Sequence, residues 1–457
     1  LDKITTGEKE MKIIIGADFV PTKNEEYFIN ADWNYLIGED LKNILEDSDY
    51  RIFNLEIPLC TNRTPILKNG PSLSASVDTV ALFKELKIDL FTLGNNHIMD
   101  QGEGGLESTM KTLGKEKISF VGAGKNLNEA SKPYIIDCVG VKVGIYACVE
   151  HEFSYADYNK AGANPYNPLV SYEDINNLKK NCDYAVVLYH GGKEHYRYPS
   201  PKLQKVCRKF IDNGADLVVC QHSHCIGCEE KYNHGTIVYG QGNFLFDRSN
   251  VDEWKTSLLI VVDNGDISYI PLKKHDDKVR LASKVDSEQI LQEFIKRSME
   301  IKDPEKININ YNRFASNLIY DYLWIMSGAS KSIILRFINR ISGYKFYKKY
   351  LDKKYNKTSI LSILNYFECE SHRELIINGL KNKVYTYEIR EVKRVTPDRV
   401  DEVDDREGVN EITLVTCEDL AATERIIVKG DLKETKDYSQ TSDEILTAFN
   451  QPYKQFS

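Results

Sequence analysis

The feature that most constrains this chain is a rhythm. Between residues 12 and 262, short apolar runs (12–16, 50–55, 89–93, 118–121, 141–147, 184–189, 215–220, 236–239 and 257–262) alternate with segments of helical spacing such as 77–86, 105–117, 172–180 and 201–213. Short apolar runs bounded by turn residues read as buried strands, and the polar-apolar segments between them as helices. Strands alternating with helices over this length predict a layered α/β domain. In such folds ligands gather beyond the carboxyl ends of the strands.

The residues at the carboxyl end of each run are therefore informative. Asp18 comes just after the first run, and Asn54-Leu55-Glu56 closes the second. Gly94-Asn95-Asn96-His97 comes after the third, His190-Gly191-Gly192 after the sixth, His222-Ser223-His224 after the seventh and Gly240-Gln241-Gly242-Asn243 after the eighth. Metal-capable side chains thus collect at one edge of the predicted sheet. Residues i and i+2 of an extended segment point the same way, so His222 and His224 are expected to face one point in space. Carboxylate, amide and imidazole donors together suit Mn, Fe or Zn, whereas Ca and Mg want oxygens alone.

Composition narrows the class. A chain of 457 residues has room for two or three domains, and its 42% hydrophobic and 28% charged content is that of a globular protein. A net charge of −8 gives no global basic field for nucleic acid or an anionic membrane. The apolar runs fall well short of the roughly 20 residues of a spanning helix. Residues 1–10 read as a polar extension before Met11, without a secretory core. Ten cysteines lack framework spacing, and several, such as Cys148 and Cys220, fall inside apolar runs; this fits a reduced, cytoplasmic setting.

The ordered set Asp18, Asn54-Leu55-Glu56, Asn95-Asn96-His97 with Asp100, His190-Gly191-Gly192 with Glu194, His222-Ser223-His224 and Gly242-Asn243-Phe244 resembles the CapA family of capsule synthesis proteins. That family, also called the poly-γ-glutamate capsule proteins, is a branch of the calcineurin-like metallophosphoesterases. The resemblance covers residues 11–381. It implies a metallophosphoesterase-like four-layer α/β/β/α sandwich over 11–275 and a helical part over 276–381. It also implies a cell-surface setting, a site for one or two ions of Mn, Fe or Zn, and hydrolase chemistry on a capsule or γ-glutamyl polymer or a phosphoester. Glu56 would lie between the ions, with Asn96, His190 and His222 on one, and Asp18 and His224 on the other. His97 would be the general acid at the leaving oxygen, with Asp100 orienting it. One departure concerns the superfamily's first motif, Asp-x-His: here Asp18 is followed by Phe19 and Val20, so the ion beside Asp18 has one ligand fewer.

Other motifs read blandly. Cys225-Ile226-Gly227-Cys228 has no second cysteine pair nearby and is taken as chance spacing, not a zinc knuckle. Gly122-Ala123-Gly124-Lys125 lacks the spacing of a phosphate loop and reads as a strand-to-helix turn. His151, His234 and His275 read as surface residues. His195 reads as a substrate contact or a loop residue, and Tyr166, Tyr196 and Tyr198 either wall a groove or pack.

Beyond residue 276 the pattern becomes helical, at 290–301, 311–326, 333–350 and 359–366. Lys345, Lys348, Lys349, Lys353 and Lys354, interleaved with aromatic residues over 344–355, read first as a solvated helix face and second as a weak membrane-surface contact. From 382 to 457 the period shortens to two, over 383–395, 409–415 and 425–428. Here Thr413-Leu414-Val415-Thr416-Cys417 and Arg425 resemble the carboxyl-terminal half of a class A sortase. That resemblance implies Cys417 as nucleophile, Arg425 at the oxyanion or the substrate, and an upstream histidine as their acid/base partner. The half that would carry the histidine is missing. The tail is therefore expected to be an incomplete β-barrel half, with Cys417 and Arg425 as inactive remnants and a recombinant join near 381–384.

Overall fold

The structure, a computed structural model, describes residues 11–22, 24–68, 70–246, 251–326, 363, 366–381, 383–396, 409–417 and 425–437. The chain divides into two compact units, Leu1–Tyr311 with Leu361–Arg373, and Asn312–Ile360 with Glu374–Ser457.

The strands of the first unit are β1 (Lys12–Val20), β2 (Tyr50–Leu55), β3 (Leu90–Thr92), β4 (Ser119–Val121), β5 (Ala123–Gly124), β6 (Tyr134–Cys138), β7 (Val141–Val149), β8 (Gly162–Ala163), β9 (Tyr184–His190), β10 (Leu217–Gln221), β11 (Glu229–Tyr232), β12 (Gly235–Tyr239), β13 (Asn243–Phe246), β14 (Thr256–Asp263), β15 (Asp266–His275) and β16 (Lys278–Leu281). Among the described residues they form an eight-stranded sheet, ordered β16-β15-β14-β1-β2-β3-β4 with β13 paired to β1, and a six-stranded sheet, ordered β11-β12-β10-β9-β7-β6. A small β5–β8 pair stands apart. β1 to β4 run parallel, as do β7, β9, β10 and β12.

The alternation of side chains along these strands builds the layers. Ile13, Ile15, Ile52 and Leu90 of the first sheet share a buried cluster with Val143, Ile145, Leu188 and Val219 of the second. The intervening residues Ile14, Phe53 and Phe91 point the other way and pack on helix residues Phe28, Leu41, Phe83 and Leu106. Tyr146, Val187 and Val218 likewise pack on Ile175, Leu178, Val206 and Phe210 of helices Ser171–Lys179 and Pro201–Asp212. Strands covered on both faces need apolar residues at every position, hence continuous runs. The result is a four-layer α/β/β/α sandwich. Phe19 is its aromatic hub, with ring centroids from 5.0 to 6.2 Å to Phe28, Phe53, Phe83, Phe91 and Phe244.

Some boundaries differ from the sequence reading. β1 continues to Val20, so Asp18 lies inside the strand, where pairing to both β2 and β13 slips register. Such a bulge turns a side chain out of the regular alternation. Segment 77–86 splits into a 3-10 turn, Val77–Thr79, and a helix, Val80–Glu85, because the Ser76 side chain caps the turn at Asp78 N. The helices expected at 290–301 and 311–326 start earlier, as Lys284–Glu300 and Pro304–Met326. Ser283 accepts from Asp286 N, and Pro304 needs no N–H partner in a first turn. The helices expected at 333–350 and 359–366 and the basic-aromatic stretch 344–355 lie outside the described residues, save 363 and 366. Among the described residues no helix is long and apolar enough to cross a membrane.

The second unit carries β17 (Lys383–Val395), β18 (Glu411–Cys417) and β19 (Arg425–Asp437), an antiparallel sheet ordered β17-β19-β18. Ile427 is buried there, whereas Ile389, Val392 and Leu414 are 65%, 61% and 55% exposed.

Candidate metal centre

The carboxyl ends of strands from both sheets meet at one place. Asp18 lies in β1, Asn54 in β2 and Glu56 one residue beyond it. Asn95, Asn96 and His97 come after β3, β9 ends on His190, and β10 leads into His222 and His224. The single sheet edge expected from sequence is in fact two edges, brought together because the sheets pack face to face. The first sheet supplies carboxylates and amides, the second the imidazoles.

His222 and His224 do not sit on an extended segment. Their φ angles, 85° and 55°, lie in the left-handed region, at a cost of roughly 1–3 kcal/mol each. The bend separates the rings by 6.1 Å between centroids, and each joins a different set. Glu56, His190 and His222 form one; Asp18, Glu56 and His224 form the other; within each, the ligand atoms lie within 4.8 Å of one another.

The first set is crowded around a single atom. His190 Nε2 lies 3.1 Å from Asn96 Oδ1, 3.2 Å from His222 Nδ1 and 3.3 Å from Glu56 Oε1. One ring nitrogen cannot hydrogen-bond all three. Bonds of roughly 2.0–2.2 Å to one ion would space such ligands about 3 Å apart. Glu56 is fully buried, yet neither of its carboxylate oxygens has a hydrogen-bond partner, and neither has Asp18 Oδ2. Burying unsatisfied carboxylate oxygens is costly unless a cation compensates. The donor set fits a transition metal.

Electrostatics divide the roles. Burial, with the Asp18 charge beside it, pushes the Glu56 carboxyl well above the usual range. Burial also pushes Asp18 up, but the charged His224, 3.4 Å away, outweighs it and holds Asp18 low. Burial lowers His224, but Glu56 and Asp18 overcome this and push it up to about 9. Burial takes His190 down to about 4 and, with the neighbouring imidazoles, holds His222 well below its usual range. His190 and His222 are therefore neutral near pH 7, the form that binds metal, whereas His224 must release a proton to do so.

A relay of amides fixes the carboxylate. Asn95 Nδ2 donates to Asn54 Oδ1 (3.0 Å) and to the Leu55 carbonyl (2.8 Å), and Asn54 Nδ2 donates to Asp18 Oδ1 (2.8 Å). Asn243 Oδ1 lies 2.9 Å from His224 Nδ1. The preceding Gly242 has φ 81°, and a Cβ there would come within 2.7 Å of the Thr256 carbonyl.

His97 stands outside both ligand sets. Its Nδ1 lies 2.6 Å from Asp100 Oδ2, and the buried Lys68 ammonium contacts Asp100 and lies 3.3 Å from the same ring nitrogen. With Nδ1–H donating to Asp100, Nε2 is left for proton transfer. Burial and Lys68 hold the imidazolium below its usual range against the pull of Asp100. Lys68 escapes a sequence reading because it lies in an aperiodic loop. Trp254 escapes it too: its ring lies 4.7 Å from that of His224, and its Nε1 donates to His195 Nδ1 at 3.2 Å.

The other candidate residues pack or stand aside. Tyr166 and Tyr196 are buried, Tyr166 OH lies 2.6 Å from Tyr172 OH, and Tyr198 OH donates to Glu300 at 2.5 Å, so all three pack. Glu194 is half-exposed beside His195. Cys225 and Cys228 are buried and join no ligand set among the described residues.

The family model for the bacterial capsule synthesis protein PGA_cap matches residues 12–248, more than half of the 457-residue chain. The chain belongs to this family. Capsule biosynthesis protein CapA of Bacillus anthracis is 26% identical over 327 residues, 67% of this chain and 78% of that protein. PGA biosynthesis protein CapA of Bacillus subtilis is 29% identical over 236 residues, 51% of this chain and 58% of that one. The PGA_cap match contains all six candidate ligands, together with His97 and Asp100. A sortase domain model matches residues 355–433, and Sortase A of Streptococcus agalactiae is 48% identical over 77 residues, 17% of this chain and 31% of that sortase. Cys417 and Arg425 are register partners across β18 and β19. The unit that carries them contains no histidine, since all nine lie in the first unit.

Proposed function

We propose that the first unit is a metal-dependent hydrolase of the phosphoesterase type, acting in the synthesis or processing of a capsule or γ-glutamyl polymer. The observation that carries this reading is Glu56, a fully buried carboxylate without a hydrogen-bond partner, shared by two ligand sets. A bound Mn, Fe or Zn ion supplies Lewis acidity and lowers the pKa of water. Asn96, His190, His222 and Glu56 would hold one ion. Asp18, His224 and Glu56 would hold the other more weakly, because the third residue of the first motif is Val20, buried in β1.

The chain's own groups do the rest. Asn54 and Asn95 hold Asp18 in a fixed orientation. His97, aligned by Asp100 with Lys68 against both, would in its doubly protonated form give the Nε2 proton to the departing oxygen, so that the leaving group departs neutral. Trp254, Phe246 and His195 wall the side nearest His224 and limit water there.

The test is metal analysis of the full chain together with turnover of a phosphoester, a peptide amide and a γ-glutamyl amide. His222→Ala is expected to lose metal and turnover together. A protein that carries no transition metal when supplied with Mn, Fe and Zn, and cleaves none of the three substrates, overturns the reading.

A further inference from the structure

Asn96 faces two ways. Its Oδ1 reaches His190, while its Nδ2 donates at 2.9 Å to Glu152 Oε2. Glu152 belongs to another buried set, with Cys369 and His372, whose ligand atoms also lie within 4.8 Å of one another. Their exposures are 7%, 1% and 8%. Glu152 comes just after β7, while the other two belong to a segment more than 200 residues further along the chain, within the same compact unit.

We propose that Glu152, Cys369 and His372 bind a zinc-class ion, separate from the centre at Glu56, which fastens segment 366–373 to the end of β7. Thiolate, imidazole and carboxylate together are a zinc donor set, and the sulfur disfavours Mg or Ca. The spacing agrees. His372 Nδ1 lies 3.9 Å from Glu152 Oε1, too far for a hydrogen bond. Two ligands on one ion, with bonds of roughly 2.0–2.2 Å, come within about that distance. Beside the set, Cys369 Sγ donates to Glu150 Oε2 at 3.4 Å. Neutral donors hold Glu150 in place, the Gly192 N–H at 2.9 Å and the Ser371 N–H at 3.2 Å. Gly191 makes room for it, because a Cβ there would lie 2.6 Å from Glu150 Cγ. On binding, the thiol proton leaves to solvent and the sulfur bonds the ion as thiolate.

The ion at Cys369 does not depend on what the Glu56 centre does, and cobalt separates the two. The full chain is stripped with chelator and refilled with Co²⁺, and the near-ultraviolet thiolate-to-cobalt charge-transfer band is recorded. The band is expected in the unaltered protein and in His222→Ala, and is expected to vanish in Cys369→Ser. Refilled with Zn²⁺ instead, Cys369→Ser is expected to hold one ion fewer per chain. His372→Gln, with folding checked by circular dichroism, gives the same reading if Cys369→Ser does not fold. An unaltered protein without the band, or a band that survives Cys369→Ser, overturns the proposal. A band lost in His222→Ala overturns the separateness of the two sites.

Discussion

The two units of this chain treat recognisable chemistry in opposite ways. In the first, candidate ligand residues at the ends of five strands are drawn into two buried sets that share Glu56, and the amides of Asn54, Asn95 and Asn243 orient them. In the second, Cys417 and Arg425 stand opposite each other on neighbouring strands, in a unit without a histidine and with large apolar side chains turned to solvent. Both regions carry motifs that a sequence comparison finds. A motif becomes a site only where the fold supplies the partners: the first unit assembles its donors from the whole fold, whereas the second carries a sortase-like cysteine without a histidine.

The comparison breaks most readily at Glu56 and His97. Glu56→Ala is expected to remove both ions and all metal-dependent turnover, as read by elemental analysis and a phosphoester assay. His97→Ala is expected to keep its metal and lose turnover by about 10²–10⁴-fold, the usual worth of a positioned acid. Metal loss in His97→Ala would place that ring among the ligands and merge two roles kept apart here. Next in size is the core beneath the site. Phe19→Ala should cost about 3–5 kcal/mol in denaturant unfolding, because Phe19 joins five other rings. It should also weaken metal binding, since Asp18 is its neighbour in β1. Chelation comes third: an ion at 100 times its Kd stabilises the unit that holds it by about 2.7 kcal/mol. Stripping metal should therefore lower the melting transition of the first unit and leave that of the second in place. A shift in both transitions would show that the units do not unfold separately.

Much of the first unit was legible because its physics is local. A strand buried on both faces must be apolar throughout, so the runs declared themselves, and the polar residues beyond them marked the ligand end. Asp18, Glu56, His190, His222 and His224 could be named as metal-capable from position alone. The division of the two histidines between two sets could not, because it depends on left-handed φ at 222 and 224, which no apolar pattern encodes. Lys68, Glu152 and Trp254 were hidden for another reason. Each lies outside the strands and α-helices, so neither period nor spacing marks it. β6 and the β15–β16 hairpin also escaped, since half-exposed strands with polar faces resemble loops in sequence.

The smallest expected effect belongs to the second unit and tests the other half of the comparison. A thiol becomes a useful nucleophile when a nearby base or cation stabilises the thiolate. In sortases a histidine is expected to play that part, and the second unit has none. An arginine such as Arg425 can stabilise an oxyanion but offers only donors, so it cannot take the place of an acid/base histidine. Cys417→Ala should therefore leave phosphoester turnover unchanged. The unaltered chain, incubated with a threonine-containing sorting-signal peptide, should show no acyl adduct at Cys417 by intact-mass analysis. Leu414→Ser, on the exposed side of β18, should move stability by no more than about 0.5 kcal/mol. An adduct at Cys417 that disappears in Arg425→Ala would reverse the argument: the second unit would then be drawing its proton acceptor from outside its own fold, and the contrast between an assembled site and a stranded motif would fail.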